Sequence, residues 1–147
     1  MADALPIDDS TADRLRPVLK LEKFFPQSLT AKVMRLLFPH SGLFRYAPEE
    51  FILCQGDESK DLYVVYSGAV LITKTLGTAG VVLATLGPGD IFGEIALVRD
   101  GVRVANAVTS QESLIFRLAY IDVHGLVTRN PDLAAHLSEL ARRRSGG

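Results

Sequence analysis

Residues 86–109 read LGPGDIFGEIALVRDGVRVANAVT. Glu94 stands inside the apolar run Phe92-Gly93-Glu94-Ile95-Ala96-Leu97, and Arg99 and Arg103 follow it. A carboxylate in such a setting must be solvated, paired or bound to something, because burying it alone is costly. Gly87 and Gly89 permit a tight turn into Asp90-Ile91-Phe92, and Gly93 lets backbone approach a ligand with no Cβ in the way. The segment after Gly93 is long enough for about two helical turns. Its first N–H groups, near Glu94, Ile95 and Ala96, are then unpaired and face outward as anion donors. The chain turns back at Asp100-Gly101, and Arg103, nine residues past Glu94, brings a guanidinium suited to hold one phosphate through two parallel bonds. A carboxylate beside an anion site makes sense if the ligand also carries a hydroxyl. A ribose 2′-OH donates to Glu94 while the phosphate rests on Arg103 and the backbone amides. A 3′,5′-cyclic nucleotide has only that ribose hydroxyl free. The competing reading of Glu94 and Arg103, a structural ion pair at a strand turn, leaves the glycine-rich loop without a role.

Working outward, short runs rich in Val, Ile, Tyr and Phe surround this stretch: LFRYA, EFILC, DLYVVYSG, AVLITKT, VVLATL, IFG, VANAV and SLIFRL. Turn signals separate them, among them Ala47-Pro48, Gly56-Asp57 and Ser67-Gly68. Some eight short strands at this spacing predict an eight-stranded antiparallel roll or jelly roll over residues 41–118. Helices flank it, so the expected class is mainly β with flanking helices (α+β). Residues 1–10 read as a flexible acidic tail. N-terminal helices occupy 11–40: TADRLRPVLKLEKFF, capped by Asp9 or Ser10 and broken or kinked at Pro17, then LTAKVMRLL, capped by Ser28 with Leu29, Val33, Leu36 and Leu37 on one face. C-terminal helices occupy 119–144: YIDVHGLVTRN, then PDLAAHLSELARRR, capped by Asn130 and opened by Pro131. Leu133, Leu137 and Leu140 form the stripe of that last helix, and Arg142 to Arg144 suit its negative end.

The totals exclude several classes. A chain of 147 residues holds one domain with a real core and is short for two; residues 11–147 read as that one domain. With 48% hydrophobic residues it is not a disordered chain. A net charge of −1 gives no positive field to draw it to nucleic acid or an anionic membrane. Cys54, the lone cysteine, excludes an intramolecular disulfide and reads as a small buried hydrophobe. His40, His124 and His136 are scattered, with no carboxylate or thiolate at ligand spacing, so no metal site is expected. Tyr63 and Tyr66 read as core or rim aromatics. No nucleophile elbow is present and no catalytic residue is assigned. No signal peptide and no apolar stretch long enough to span a membrane is found, and the expected location is the cytoplasm.

The sequence FGEIALVRDGVRVANAV resembles the phosphate-binding cassette of cyclic-nucleotide-binding domains, which runs Phe-Gly-Glu-(Leu/Ile)-Ala-Leu and then Pro-Arg-(Ala/Ser/Thr)-Ala. The resemblance extends upstream through YAPEEFILCQGDESKDLYVVYSGAVLIT, with Gly56, Asp57 and Gly68 at turn positions, and downstream through LIFRLAYIDVHGLVTRNPDLAAHL. It covers about residues 20–143. It implies that Glu94 binds the ribose, that Arg103 binds the cyclic phosphate, and that Gly93, Ile95 and Ala96 supply backbone contacts. Arg99 then lies in the short helix and is solvated. Val102 replaces the family's proline, and Val104 stands where Ala, Ser or Thr is usual. A hydroxyl at that place assists guanine recognition, so Val104 leans the ligand toward adenine, cAMP over cGMP.

The resulting expectation is a non-enzymatic cyclic-nucleotide sensor without a cofactor, which relays binding through its flanking helices to an unknown protein partner. Leu137, Leu140 or Arg142 of the last helix is the candidate lid over the base. Three rivals stand beside it. A catabolite-activator type of transcription regulator is disfavoured, since nothing after Arg144 holds a helix-turn-helix. A regulatory fragment of a larger channel or kinase reads the same. A degenerate roll serving only as an interaction module is disfavoured by the presence of both Glu94 and Arg103.

Overall fold

The computed structural model of the chain describes residues 2–93 and 105–145, the segment 141–145 by its backbone alone. Its elements run β1 (Asp3–Leu5), α1 (Asp9–Val18), α2 (Ala31–Leu37), β2 (Gly42–Tyr46), β3 (Phe51–Leu53), β4 (Leu62–Ser67), β5 (Val70–Leu76), β6 (Ala79–Leu86), β7 (Ile91–Phe92), β8 (Asn106–Thr109), β9 (Ser113–Leu118), α3 (Tyr120–Arg129) and α4 (Pro131–Ser145). The strands form two sheets in the orders β1-β2-β9-β4-β7 and β3-β8-β5-β6. Every pairing is antiparallel. The class is mainly β with flanking helices, as the strand spacing indicates.

β4 shows how the layers arise. Successive side chains of a strand point to opposite faces, and Leu62, Tyr63, Val64 and Val65 are all buried. Tyr63 and Val65 face the other sheet, in a cluster with Leu53, Val70, Phe92, Ala107 and Ile115. Leu62 and Val64 face the opposite way and join Phe116 and Leu118 against Leu15, Leu19, Leu126, Leu133 and Leu137 of the helices. The five-stranded sheet is therefore the middle layer, covered by the second sheet on one side and by helices on the other. Its central strands are apolar on both faces because neither face meets water.

Several local expectations change. The acidic stretch 1–10 contains β1, which pairs Asp3, Ala4 and Leu5 with Arg45, Phe44 and Leu43, and it also carries the cap and opening of α1. Asp8, one residue earlier than expected, caps α1 by accepting from the Thr11 N–H at 2.8 Å. Asp9 instead reaches across to the start of α2 and accepts from the Ala31 N–H at 2.8 Å. Asp13 does the same for the Leu29 N–H at 3.1 Å, and that bond is the main reason its carboxyl lies below the usual range. Pro17 is accommodated in the last turn of α1, which ends one residue later at Val18. Thr30 rather than Ser28 caps α2, and its buried residues are Ala31 and Met34, while Leu36 is 63% exposed. Val33 and Leu37 pack partly against the core as expected, but Leu36, two residues past Met34, lies about 200° around the helix and so on the opposite face. Cys54 is exposed, not buried. It lies one residue past β3, in a turn where its N–H donates to Asp57 Oδ2 and its carbonyl accepts from the Asp57 N–H.

Candidate functional site

The chain that leads into the candidate residues is held firmly at residues 87–90. Asp90 closes the glycine turn by accepting from the Gly87 N–H through Oδ2 at 2.9 Å. Gly89, at φ +92°, a conformation only glycine adopts cheaply, donates its N–H to Val65 O at 2.7 Å, and Val65 N–H donates to Asp90 O at 2.9 Å. The turn is thus tied to β4. β7 pairs beside it, with Tyr63 opposite Phe92 and Val64 opposite Ile91. The rings of Tyr63 and Phe92 stack with centroids 5.3 Å apart. Phe92 faces the inter-sheet cluster and Ile91 faces the helices. Gly93 ends the strand at φ +84°.

Glu94, Ile95, Ala96, Arg99, Val102, Arg103 and Val104 lie outside the described residues. The chain returns at β8, in the other sheet. There Asn106, only 9% exposed, accepts from the Gln55 N–H at 2.7 Å and donates to Thr73 Oγ1 and Thr75 Oγ1 at 3.4 Å. The strands on either side of residues 94–104 therefore belong to different sheets, β7 at the edge of one and β8 inside the other. Sequence reading passed over Asn106. The signal available was a lone amide in the apolar run VANAV, which must find partners if buried.

Of the three candidate lid residues, Leu137 is fully buried and Leu140 is 6% exposed. Both sit in the helix-side cluster with Leu15, Leu19 and Leu21, and with Ile91 of β7. His136 Nε2, 3.0 Å from Leu19 O, and the His136 ring, 5.3 Å from that of Phe24, add to the same seat. The side chain of Arg142 lies outside the described residues. Ile91, two residues before Gly93, lies in the same cluster as Leu137 and Leu140.

A second polar node, also unseen in the sequence, holds the start of α3. Its N-cap, Ala119, has no capping side chain. Ser41 Oγ accepts from the Ala119 N–H at 2.9 Å, and Asp61 Oδ1 accepts from the Tyr120 N–H at 2.9 Å. Asp122, 3% exposed, accepts from Ser41 Oγ at 2.6 Å and from the His40 N–H at 2.9 Å, and His40 Nδ1 lies 2.9 Å from its other oxygen. The α2–β2 junction and α3 are thereby held as one piece.

This roll, with its glycine turn ahead of β7, coincides with a sequence match. The family model for the cyclic nucleotide-binding domain matches residues 43–130. The chain belongs to that family. The cyclic AMP receptor protein of Thermus thermophilus is 40% identical over 94 residues, 63% of this chain and 44% of that protein. A cyclic nucleotide-gated cation channel protein of Drosophila melanogaster is 33% identical over 134 residues, 90% of this chain and 18% of the channel protein. The chain thus spans less than half the length of either relative. Among solved structures, the catabolite activator protein of Thermus thermophilus superposes with a TM-score of 0.64 at 36% identity, over 76% of this chain and 53% of that one. A cyclic nucleotide-binding domain from Methylobacillus flagellatus gives 0.77 at 20% identity, over 98% of this chain and 84% of that one, a likeness of fold alone. Among the described residues no His/Cys/Asp/Glu group has the makings of a metal site, and no helix is long and apolar enough to cross a membrane.

Proposed function

We propose that this cyclic nucleotide-binding domain is a non-enzymatic sensor of a 3′,5′-cyclic mononucleotide, cAMP in preference to cGMP, which relays occupancy to a protein partner. The observation that carries the reading is the family match over residues 43–130, with Glu94 and Arg103 nine residues apart in the segment between β7 and β8. In this reading Arg103 pairs with the cyclic phosphate and Glu94 accepts from the ribose 2′-OH. The backbone at Gly93, Ile95 and Ala96 lines the phosphate. Val104 offers no hydroxyl to guanine, which favours adenine.

Packing supports the relay. Loop movement that shifts β7 shifts Ile91, and Ile91 shares a cluster with Leu133 and Leu137 of α4. A lid role for Leu137 or Leu140 requires α4 to give up this seat. Exposing a buried leucine costs about 1.5–3 kcal/mol, and the ligand's differential affinity for the two arrangements must cover that. Calorimetry of the purified chain with cAMP, cGMP and 5′-AMP tests the reading. cAMP is expected to bind more tightly than cGMP, and both far more tightly than 5′-AMP. No heat with either cyclic nucleotide leaves the roll as an interaction module.

A further inference from the structure

Half of the large apolar side chains that are exposed among the described residues lie on one hairpin: Leu76 of β5 (56%), and Val81 (41%), Val82 (58%) and Leu83 (56%) of β6. Among the described residues β6 is the last strand in its sheet order, paired with β5 on one side. Its eight residues, AGVVLATL, contain no charge and no proline, and all but Leu86 are exposed. Edge strands in soluble proteins are normally blunted by lysine, proline, short length, a bulge or a cover. β6 has one such device, a register shift opposite Ile72 and Thr73, and the ladder is regular on either side of it, over residues 79–82 and 84–86. A long, apolar, uncharged edge of this kind is a template for another strand.

We propose that the occupant is a second copy of this chain, paired antiparallel through β6 across a two-fold axis. Two four-stranded sheets then become one continuous sheet. Three observations favour a copy over a foreign peptide. Both faces of β6 are open, so no groove flanks the edge to select a foreign side chain. An identical strand sets its own Val and Leu beside the exposed ones as cross-strand neighbours. Like charges meet across a two-fold axis and oppose pairing, and β6 has none to bring; Lys74 lies one strand back, opposite Val81. Such a contact is self-complementary and consumes the edge, so it closes at two copies. The proposal does not depend on the nucleotide reading.

Sedimentation of the purified chain across a concentration series tests it, with amide exchange of residues 79–86 followed at both ends of the series. A monomer–dimer equilibrium is expected, with protection of the β6 amides rising with the dimer. Val82→Lys, beside the midpoint of the strand, sets two ammonium groups near the axis and should weaken association at least about tenfold. Val127→Lys, a comparably exposed position on α3 (56%), should leave it unchanged. A chain that stays monomeric throughout, assembly beyond two, or a dimer that survives Val82→Lys overturns the proposal. If Val82→Lys does not fold, wild-type exchange decides alone: β6 amides that exchange equally in monomer and dimer place the interface elsewhere.

Discussion

Arg103 carries the sharpest prediction. A guanidinium facing a desolvated phosphate leaves a buried, unpaired charge when it is removed, and such truncations cost about 2–5 kcal/mol. Arg103→Ala should therefore weaken cyclic-nucleotide binding at least about 30-fold by calorimetry, and Arg99→Ala should change it far less. Equal affinity of Arg103→Ala and wild type would remove the assignment. Glu94 is tested by ligand chemistry. A hydrogen bond to a charged group is worth roughly 1.5–3 kcal/mol, so Glu94→Gln should weaken the cyclic ribonucleotide by about that much. The 2′-deoxy analogue, which lacks the hydroxyl, should respond little; equal losses for both ligands mean that Glu94 does not read the ribose. Gly68 makes a prediction about stability instead. It sits at φ +98° between β4 and β5, and an added Cβ there meets the Ser113 Cα and Cβ at 2.6 Å. Strain and overpacking together should cost Gly68→Ala at least about 2 kcal/mol in denaturant unfolding. Gly56→Ala, at φ +95° in open space, should cost clearly less, and a reversed order would contradict the turn geometry.

Among the elements, α4 is the proposed exit for a signal from the roll. Its Leu133, Ala134, Leu137 and Leu140 are buried beside α1 and β7. Saturating cyclic nucleotide should change amide protection over residues 131–140, because β7 reaches α4 through Ile91. Protection identical with and without ligand makes α4 a static support and leaves the α2–β2 junction as the exit. That junction is well placed for it, since Ser41 and His40 meet Asp122 of α3 directly. β1 is held by its neighbour rather than by its own composition. Asp-Ala-Leu has little strand propensity of its own, yet it pairs with β2 because β2 would otherwise end the sheet with unpaired backbone.

For the molecule as a whole, a ligand that binds only the folded chain must stabilise it. At a hundredfold excess over its Kd the gain is about 2.7 kcal/mol, so cAMP should raise Tm in proportion to the logarithm of its concentration, and 5′-AMP at equal concentration should raise it little. No shift with cAMP at saturating levels would contradict a folded-state site. The local pattern carried much of the fold unaided: eight apolar runs bounded by Gly, Pro and Asp match β2 to β9, and Asn130-Pro131 marks the start of α4. Alternation and turn chemistry act over a few residues, and so they are written in the order of the sequence. The glycines at 89 and 93 and the spacing of Glu94 and Arg103 are legible for the same reason. Only the tertiary structure set the remainder. It put β7 beside β4 and β8 beside β5, buried Asp122 and Asn106 among remote partners, took Asp9 from its own helix to cap the next, and seated Leu137 in the core. Each of these depends on which surfaces meet across tens of residues, and no periodicity within a single element records that meeting.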